Sequence, residues 1–419
     1  MFDRDKWIEI WSSMAKNKMR TVLTAFGVFW GIFMLMVMLG SGKGLENGVM
    51  DGMGDFATNS VFMWSRSTSV PYQGLPRGRY FQFRNDDAKA LRENIEELDI
   101  LSARLDVRLS NGNNTIRDLK SGAFTVFGDY PEWNEIDPVK MLHGRFINKN
   151  DIIQKRKVAV IGQRVYEVLF EKDEDPIGEY IRINGIYFQV VGVFKPLSTN
   201  MNFGGDKNES IHLPFSTVQQ AFNYGDRISW FAMTAKPGIL ATVVEEKAAQ
   251  LLKERHKVAP EDDRAIGYFN LHKEFKKMQG LFGGISALIW IVGAGTLLAG
   301  VIGISNIMLV VVKERTREIG IMRAIGASPA KVISQVVSES VLLTTLAGYT
   351  GLVIGVALIE LINKNIPQDG GNQMFLNPNV DFNVAITALA ILIISGMIAG
   401  LIPARRAVIV KPIDALRYE

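Results

Sequence analysis

Residues able to hold a phosphate or activate a nucleophile are few. GSGKG at 40–44 sets a lysine among glycines. A phosphate-cradling loop needs GxxxxGK followed by Ser or Thr, between a strand and a helix. Here Gly44 follows Lys43 and a long uncharged run precedes, so no ATP site is expected at this place, and no other segment fits. The histidines, His143, His212, His256 and His272, lack ligand-like spacing and are expected at the surface or in loops. Glu171, Asp173, Glu174 and Asp175 precede Pro176 without the EF-hand pattern and read as a solvated loop. There is no cysteine, which removes disulfides, thiolate nucleophiles and zinc–thiolate centres. The expectation is a chain with no catalytic set, no metal and no directly bound cofactor. Tyr72, Tyr80, Phe81 and Phe83 could touch an apolar ligand, but strand packing is expected for at least half of them.

The segment 313–328, KERTREIGIMRAIGAS, offers a different chemistry. Lys313, Arg315, Arg317 and Arg323 are interleaved with Glu314 and Glu318. Read as a helix, it is a short amphipathic rod with Ile319, Met322 and Gly326 at helical spacing. Two roles fit. One is a handle by which a soluble partner moves a membrane part. The other is a positive-inside loop that only sets topology.

The elements that would position this segment are apolar. The runs 21–40, 281–312, 340–359 and 382–404 carry no charge. Each exceeds the roughly 18 residues of a transmembrane candidate. A cleaved signal peptide has an apolar core of about 7–15 residues, shorter than the first run. The second run, 32 residues as one helix, would span about 48 Å against about 30 Å of hydrocarbon, and so would project as a stalk unless Gly280, Gly283 and Gly284 break it. Lys and Arg number five in 1–20, five in 313–339 and four in the tail, against Lys364 alone in 360–381. The positive-inside rule then puts both termini and 313–339 in the cytoplasm. The net charge of +4 reads as this topology and not as nucleic-acid binding. Gly27 and Gly31, Gly300 and Gly303, and Gly348, Gly351 and Gly355 suit close helix packing, within a subunit or between two.

The expected organisation is an interfacial helix (1–20, with Trp7 and Trp11), a first membrane helix (21–42) and an external α+β domain (43–275). A stalk and second membrane helix (276–312), the cytoplasmic segment (313–339), a third helix (340–360), a short outer loop (361–381), a fourth helix (382–404) and a tail (405–419) follow. In the external domain, strands are expected at 60–66, 80–84, 101–109, 228–235 and 266–271, with helices at 85–98 and 239–256. One subdomain is thus built from both flanks, 45–110 and 210–275. The insertion 111–209 opens at the NGNN turn, 111–114, and reads as mostly β, with strands at 123–129 and 158–162 and a hairpin turning at Asn184–Gly185.

Four stretches give the chain a family resemblance: NKMRTVLTAFGVFWGI (17–32), GDYPEWNEIDPVKMLHGRFINKND (128–151) with VAVIGQRV (158–165), DPIGEYIRING (175–185) and FQVVGVF (188–194), NIMLVVVKERTREIGIMRAIGAS (306–328), and PARRAVIVKPIDALRYE (403–419). These resemble the MacB/FtsX-type ABC permeases: four membrane helices and a large external domain after the first. The resemblance implies a Porter-like subdomain from the flanks and a Sabre-like insertion. It implies an inner-membrane protein with its large domain in the periplasm, working as a dimer, a homodimer in preference to a heterodimer, with an ABC ATPase. ATP and Mg would be bound by that ATPase, expected as a separate subunit since no P-loop is present. A periplasmic adaptor and an outer-membrane channel are further implied partners. Glu314, Arg315, Glu318 and Arg323 would make the charged ATPase contacts, Ile319 and Met322 would fill an apolar groove in it, and Gly326 would belong to the same coupling segment. The implied function is efflux by mechanotransmission. Lipoprotein release and activation of a cell-wall hydrolase are the alternatives that relatives of similar layout offer.

Overall fold

A computed structural model describes residues 18–52, 56–108, 114–197, 205–366 and 375–409. Residues 1–17 of the expected interfacial helix, 111–113 of the NGNN turn, the centre of the outer loop and the tail from 410 lie outside the described residues. The chain divides into two compact units, Met1–Val49 with Leu281–Glu419, and Met50–Gly280. Helix α1, Lys18–Gly52, runs ten residues past the expected end of the first membrane helix. GSGKG is therefore helical, and Lys43 is spent on Glu46 at 3.0 Å.

The Met50–Gly280 unit begins with β1 (Ser60–Ser65), β2 (Phe83–Arg84), α2 (Asn85–Asn94) and β3 (Leu98–Val107). Next come β4 (Asn114–Arg117), β5 (Lys120–Ala123), β6 (Thr125–Asp129), α3 (Trp133–Ile136), β7 (Val139–Gly144), α4 (Lys149–Ile153), β8 (Val158–Gly162) and α5 (Gln163–Leu169). It closes with β9 (Tyr180–Ile183), β10 (Ile186–Pro196), β11 (Ser210–Pro214), α6 (Phe215–Ala221), β12 (Arg227–Ile228), β13 (Trp230–Ala235), α7 (Ala241–Arg255) and β14 (Ile266–Asn270). Among the described residues the main sheet runs β14-β1-β13-β3-β6-β11-β8-β10-β9-β4-β5, with β7 beside β10.

One strand joins the flank-built part to the insertion. The first residues of β3 pair with β13, up to Arg104, and its last, Leu105–Val107, pair with β6. The boundary at 209 needs correction. β11 pairs in parallel with β6 and antiparallel with β8, so it belongs to the insertion's sheet. Backbone hydrogen bonding, not sequence proximity to the second flank, decides its membership. The insertion is also less purely β than its sequence suggests, since α3, α4 and α5 lie within it. The expected hairpin is present: Asn184 (φ 48°) and Gly185 (φ 90°) both take the left-handed conformation a two-residue turn requires. The strand at 80–84 shrinks to Phe83–Arg84, and the 85–98 helix stops at Asn94, leaving Leu98 to open β3.

Alternation along the strands separates two layers. Val61, Met63, Phe231 and Met233 join Leu91 of α2 and Val244 and Leu252 of α7 in one core. Phe62, Trp64, Trp230 and Phe269 face the other way, with Trp133 of α3. The aromatic edges meet there: Trp133 and Trp230 lie 5.4 Å apart at 83°.

Helix α8 spans Leu271–Glu314 and enters the other unit at Leu281, where α9 (Thr316–Ala324), α10 (Pro329–Asn365) and α11 (Phe382–Ile409) follow. With α1, three of these, α8, α10 and α11, are long and apolar enough to cross a membrane. Gly280, Gly283 and Gly284 do not break α8, whose 44 residues span about 66 Å. The helix that carries the third apolar run starts at Pro329: Ser328 accepts the Lys331 amide and proline takes the first turn, where its missing N–H costs nothing. The glycines pack within the chain. A Cβ on Gly31 would sit 3.6 Å from Leu297 of α8, and one on Gly355 2.9 Å from Met36 of α1. Gly396 and Gly400 of α11 receive Thr344 and Ser340 of α10, whose hydroxyls bond back to their own helix. Gly303 faces open space.

A Cβ at Gly162 would overlap the Asn208 carbonyl. Gly162→Ala is expected to destabilise the unit by about 1–3 kcal/mol and to lower its melting temperature by several degrees. Calorimetry of the purified chain checks this, and an unchanged transition would refute it.

Candidate coupling site

The segment between α8 and α10 is built from helix ends. Arg315 leaves helical geometry (φ −95°, ψ 13°) and α9 starts at the next residue. Thr316 Oγ1 donates to the carbonyls of Lys313 (2.7 Å) and Val312 (3.1 Å), which would otherwise lack partners at the break. Arg315 Nε lies 2.9 Å from Glu318 Oε2, and its NH1 lies 3.5 Å from Glu339 Oε2 on α10. Glu339 is buried, and this guanidinium is a counter-charge for it. At the far end Arg323 donates to the Val408 carbonyl of α11 at 2.6 Å. The helix then closes on Gly326 at φ +102°, with Gly326 N bonding Arg323 O and Ala327 N bonding Met322 O. This is a Schellman stop, which favours glycine.

The faces of α9 differ from the sequence expectation. Ile319 is buried and Met322 half-buried, in a cluster with Met308, Val312, Val332 and Val336. Ile319 packs against this chain's own helices, and Met322 packs there in part while keeping some exposed surface. The outward residues are Arg317, Glu318, Ile321, Ala324 and Ile325, spaced as one helical face. Ile321 is 41% and Ile325 82% exposed. Arg315 and Arg323 are spent mainly inside the unit, whereas Lys313, Glu314 and Glu318 stay at the surface. Gly326 ends the helix and does not extend its face. The i, i+4 spacing of Ile321 and Ile325 was legible in the sequence, but nothing there ranked it above Ile319 and Met322.

Residues 21–251 match the family described as the MacB-like periplasmic core domain, and residues 290–412 match the FtsX-like permease C-terminal family. The chain therefore belongs to the MacB/FtsX-type ABC transporter permeases. It is 30% identical over 413 residues to the pyoverdine export ATP-binding/permease protein PvdT of Pseudomonas putida, covering 98% of this chain and 59% of that protein. It is 28% identical over 414 residues to the macrolide export ATP-binding/permease protein MacB of Nitrosomonas europaea, covering 98% and 58%. The chain thus spans about three fifths of the length of these relatives. The crystal structure of the periplasmic region of MacB from Actinobacillus actinomycetemcomitans aligns with TM-score 0.42 and 19% identity, over 54% of this chain and 94% of that one.

A second cluster escapes sequence reading. His212, expected at the surface, is buried, with Nδ1 2.6 Å from Asp129 Oδ2 and Nε2 3.1 Å from Ser210 Oγ. Arg104 pairs with the same carboxylate at 2.6 and 2.9 Å and lies over the rings of Trp133 and Phe127. The order Ser–His–Asp resembles a hydrolytic set, but all three are sealed inside the sheet and Arg104 occupies the carboxylate. Its role is structural. Burial lowers the His212 pKa against the opposing pull of Asp129, so the imidazole is neutral. The Asp129 carboxyl is held below its usual range by Arg104 and His212, which outweigh burial. His256, likewise no loop bystander, bonds Asp87 at 2.7 Å.

Glu339→Gln removes the buried carboxylate 3.5 Å from Arg315, which keeps Glu318 at 2.9 Å, and should cost the membrane unit about 1 kcal/mol. Its melting temperature in detergent would fall, and an unchanged value would show the pair to be dispensable. A second prediction concerns pH. The unfolded chain protonates residue 212 near 6.5 while the native imidazole stays neutral. The unfolded state thus binds more protons as pH falls through about 6.5, and stability drops. Asp129, with its pKa lowered, is fully stabilising above about 3.9 and contributes no slope there. His212→Asn should flatten the loss of stability between about pH 7 and 5; an identical slope in wild type and variant would contradict this.

Proposed function

We propose that the chain is the permease of an exporter driven by ATP hydrolysis in a module outside these 419 residues, and that α9 is the surface on which that module acts. The observation carrying the reading is the outward face of α9, two exposed isoleucines flanked by Arg317 and Glu318, on a helix tied to its own unit at both ends. Surface isoleucines ringed by charge are the composition of a protein contact. Because Arg315 and Arg323 fasten α9 to α10 and α11, displacement of α9 would move those helices as one body. The unbroken α8 then passes the motion towards the periplasmic core domain. In this reading ATP and Mg are bound by the ATPase module.

In this proposal the cytoplasmic side is that of 313–339 and both termini, the core domain is periplasmic, and a second copy of the chain completes the permease. A periplasmic adaptor and an outer-membrane channel would complete the export path. The two relatives' names, pyoverdine export and macrolide export, support export over lipoprotein release or hydrolase activation.

Replacing Ile321 and Ile325 together by Glu is expected to abolish co-purification of the ATPase from native membranes, or to reduce its stimulated hydrolysis by an order of magnitude, corresponding to about 1.4 kcal/mol or more. Membrane insertion and melting temperature should hold, since both side chains face outward. Undiminished ATPase binding by the double variant would sink the assignment of this face.

A further inference from the structure

The Met50–Gly280 unit contains a cleft that neither the coupling reading nor the buried Arg104–Asp129–His212 network uses. Its volume is about 560 Å³, inside the range of roughly 300–1,000 Å³ typical of small-molecule sites. It lies where β1, β3, β12 and β13 meet, at one end of the aromatic layer. Trp64 and Trp230 are direct cross-strand partners there. The Trp64 indole lies against Gly267 of β14, where any Cβ would collide with it. The Trp230 Nε1–H donates to Asp106 Oδ1 at 3.1 Å, which fixes that ring. Tyr80 adds a third aromatic side chain and is 63% exposed, although Phe81 and Phe83 beside it are core residues. An exposed tyrosine at a cleft lined by two tryptophans is unexplained by packing within the unit.

The polar lining has a definite sign. Arg108 and Arg227 both contribute to it. Arg227 donates through Nε to Gln82 Oε1, and none of the described residues bonds its terminal nitrogens. The Arg108 side chain is largely exposed, and among the described residues its guanidinium makes one long contact, 3.4 Å, with Asp106. Asp106 is the carboxylate of the lining, and one of its oxygens is taken by Trp230. Two guanidiniums against one partly spent carboxylate favour an anion and oppose a cation. Guanidinium forks match carboxylates bidentately, and aromatic walls accept a flat ring by offset or edge contact.

We propose that this cleft binds a small planar aromatic molecule bearing a carboxylate, its ring held by Trp64, Trp230 and Tyr80 and its charge by Arg108 and Arg227. The site is independent of the α9 reading and stands or falls separately from it.

The test uses the full chain in lipid nanodiscs, with 2-naphthoate as probe and the uncharged 2-naphthylmethanol as its neutral counterpart, followed by ligand-observed NMR. Wild type is expected to favour the naphthoate. The double variant Arg108→Gln with Arg227→Gln should weaken naphthoate binding roughly tenfold or more and leave the neutral probe unchanged. Tyr80→Ala should weaken both probes. All these side chains are surface groups, so melting temperatures should match wild type and certify folding. Identical titrations for wild type and variants, the result for a probe that only partitions into the bilayer, would overturn the proposal. So would a double variant that keeps the preference for the anion.

Discussion

Hydrocarbon offers a backbone no hydrogen-bond partner, and the design of the Met1–Val49 and Leu281–Glu419 unit follows from that. Its spanning segments are continuous helices, and even the buried hydroxyls of Ser340 and Thr344 are satisfied by carbonyls one turn back in the same helix. Once those hydroxyls are internally bonded, α10 and α11 can approach through small residues, with Gly396 and Gly400 against Thr344 and Ser340. The hydrophobic effect adds little between helices in lipid, so close packing of this kind has to supply the cohesion. Many large apolar residues, Leu298, Ile302 and Ile394 among them, remain exposed in the chain alone because lipid is their intended neighbour.

Outside the hydrocarbon the same requirement is met by other means. The break at Arg315 frees carbonyls that Thr316 recovers, and the end of α9 is closed by the Gly326 stop. Glu339 places a carboxylate inside the helix bundle, and the half-buried Arg315 supplies a counter-charge at 3.5 Å. The core domain solves the problem similarly. Arg104 sits at the point where β3 changes partners from β13 to β6, and its charge is met by Asp129, by His212 and by the faces of Trp133 and Phe127. In the core domain a buried arginine marks the place where one strand changes partners, and in the other unit a half-buried arginine sits where α8 gives way to α9.

Much of this was legible in the sequence. The four apolar runs gave the membrane helices, the Asn184–Gly185 dipeptide gave its hairpin, and VAVIG gave β8 residue for residue. These are local signals: run length, turn chemistry, β-branched composition. What failed was non-local. Nothing at 210–214 announces that SIHLP pairs with β6 and β8, because partner choice among strands depends on the whole sheet. Likewise His212 has no neighbour in sequence that reveals Asp129 or Arg104, 83 and 108 positions away. Helix α8 begins at Leu271, five residues before the expected stalk, and stays continuous through Gly280, Gly283 and Gly284, each costing about 1 kcal/mol against alanine, because a long apolar helix carries them.

The coupling segment shows why periodicity alone misassigns a face. Ile319 and Met322 fall three apart and Ile321 and Ile325 four apart, so both pairs satisfy helical spacing. The choice between them is made by the residues that anchor the helix. Arg315 must reach Glu339 and Arg323 must reach Val408, and these two anchors, eight positions apart, lie on one side of α9. Fixing that side inward carries Ile319 and Met322 with it and turns Ile321 and Ile325 out. Had the glutamate on α10 stood elsewhere, the same nine residues could have rolled to present the other pair. The orientation of the outward face is thus set by a charge on a different helix, which is information the amphipathic pattern of 313–328 does not contain.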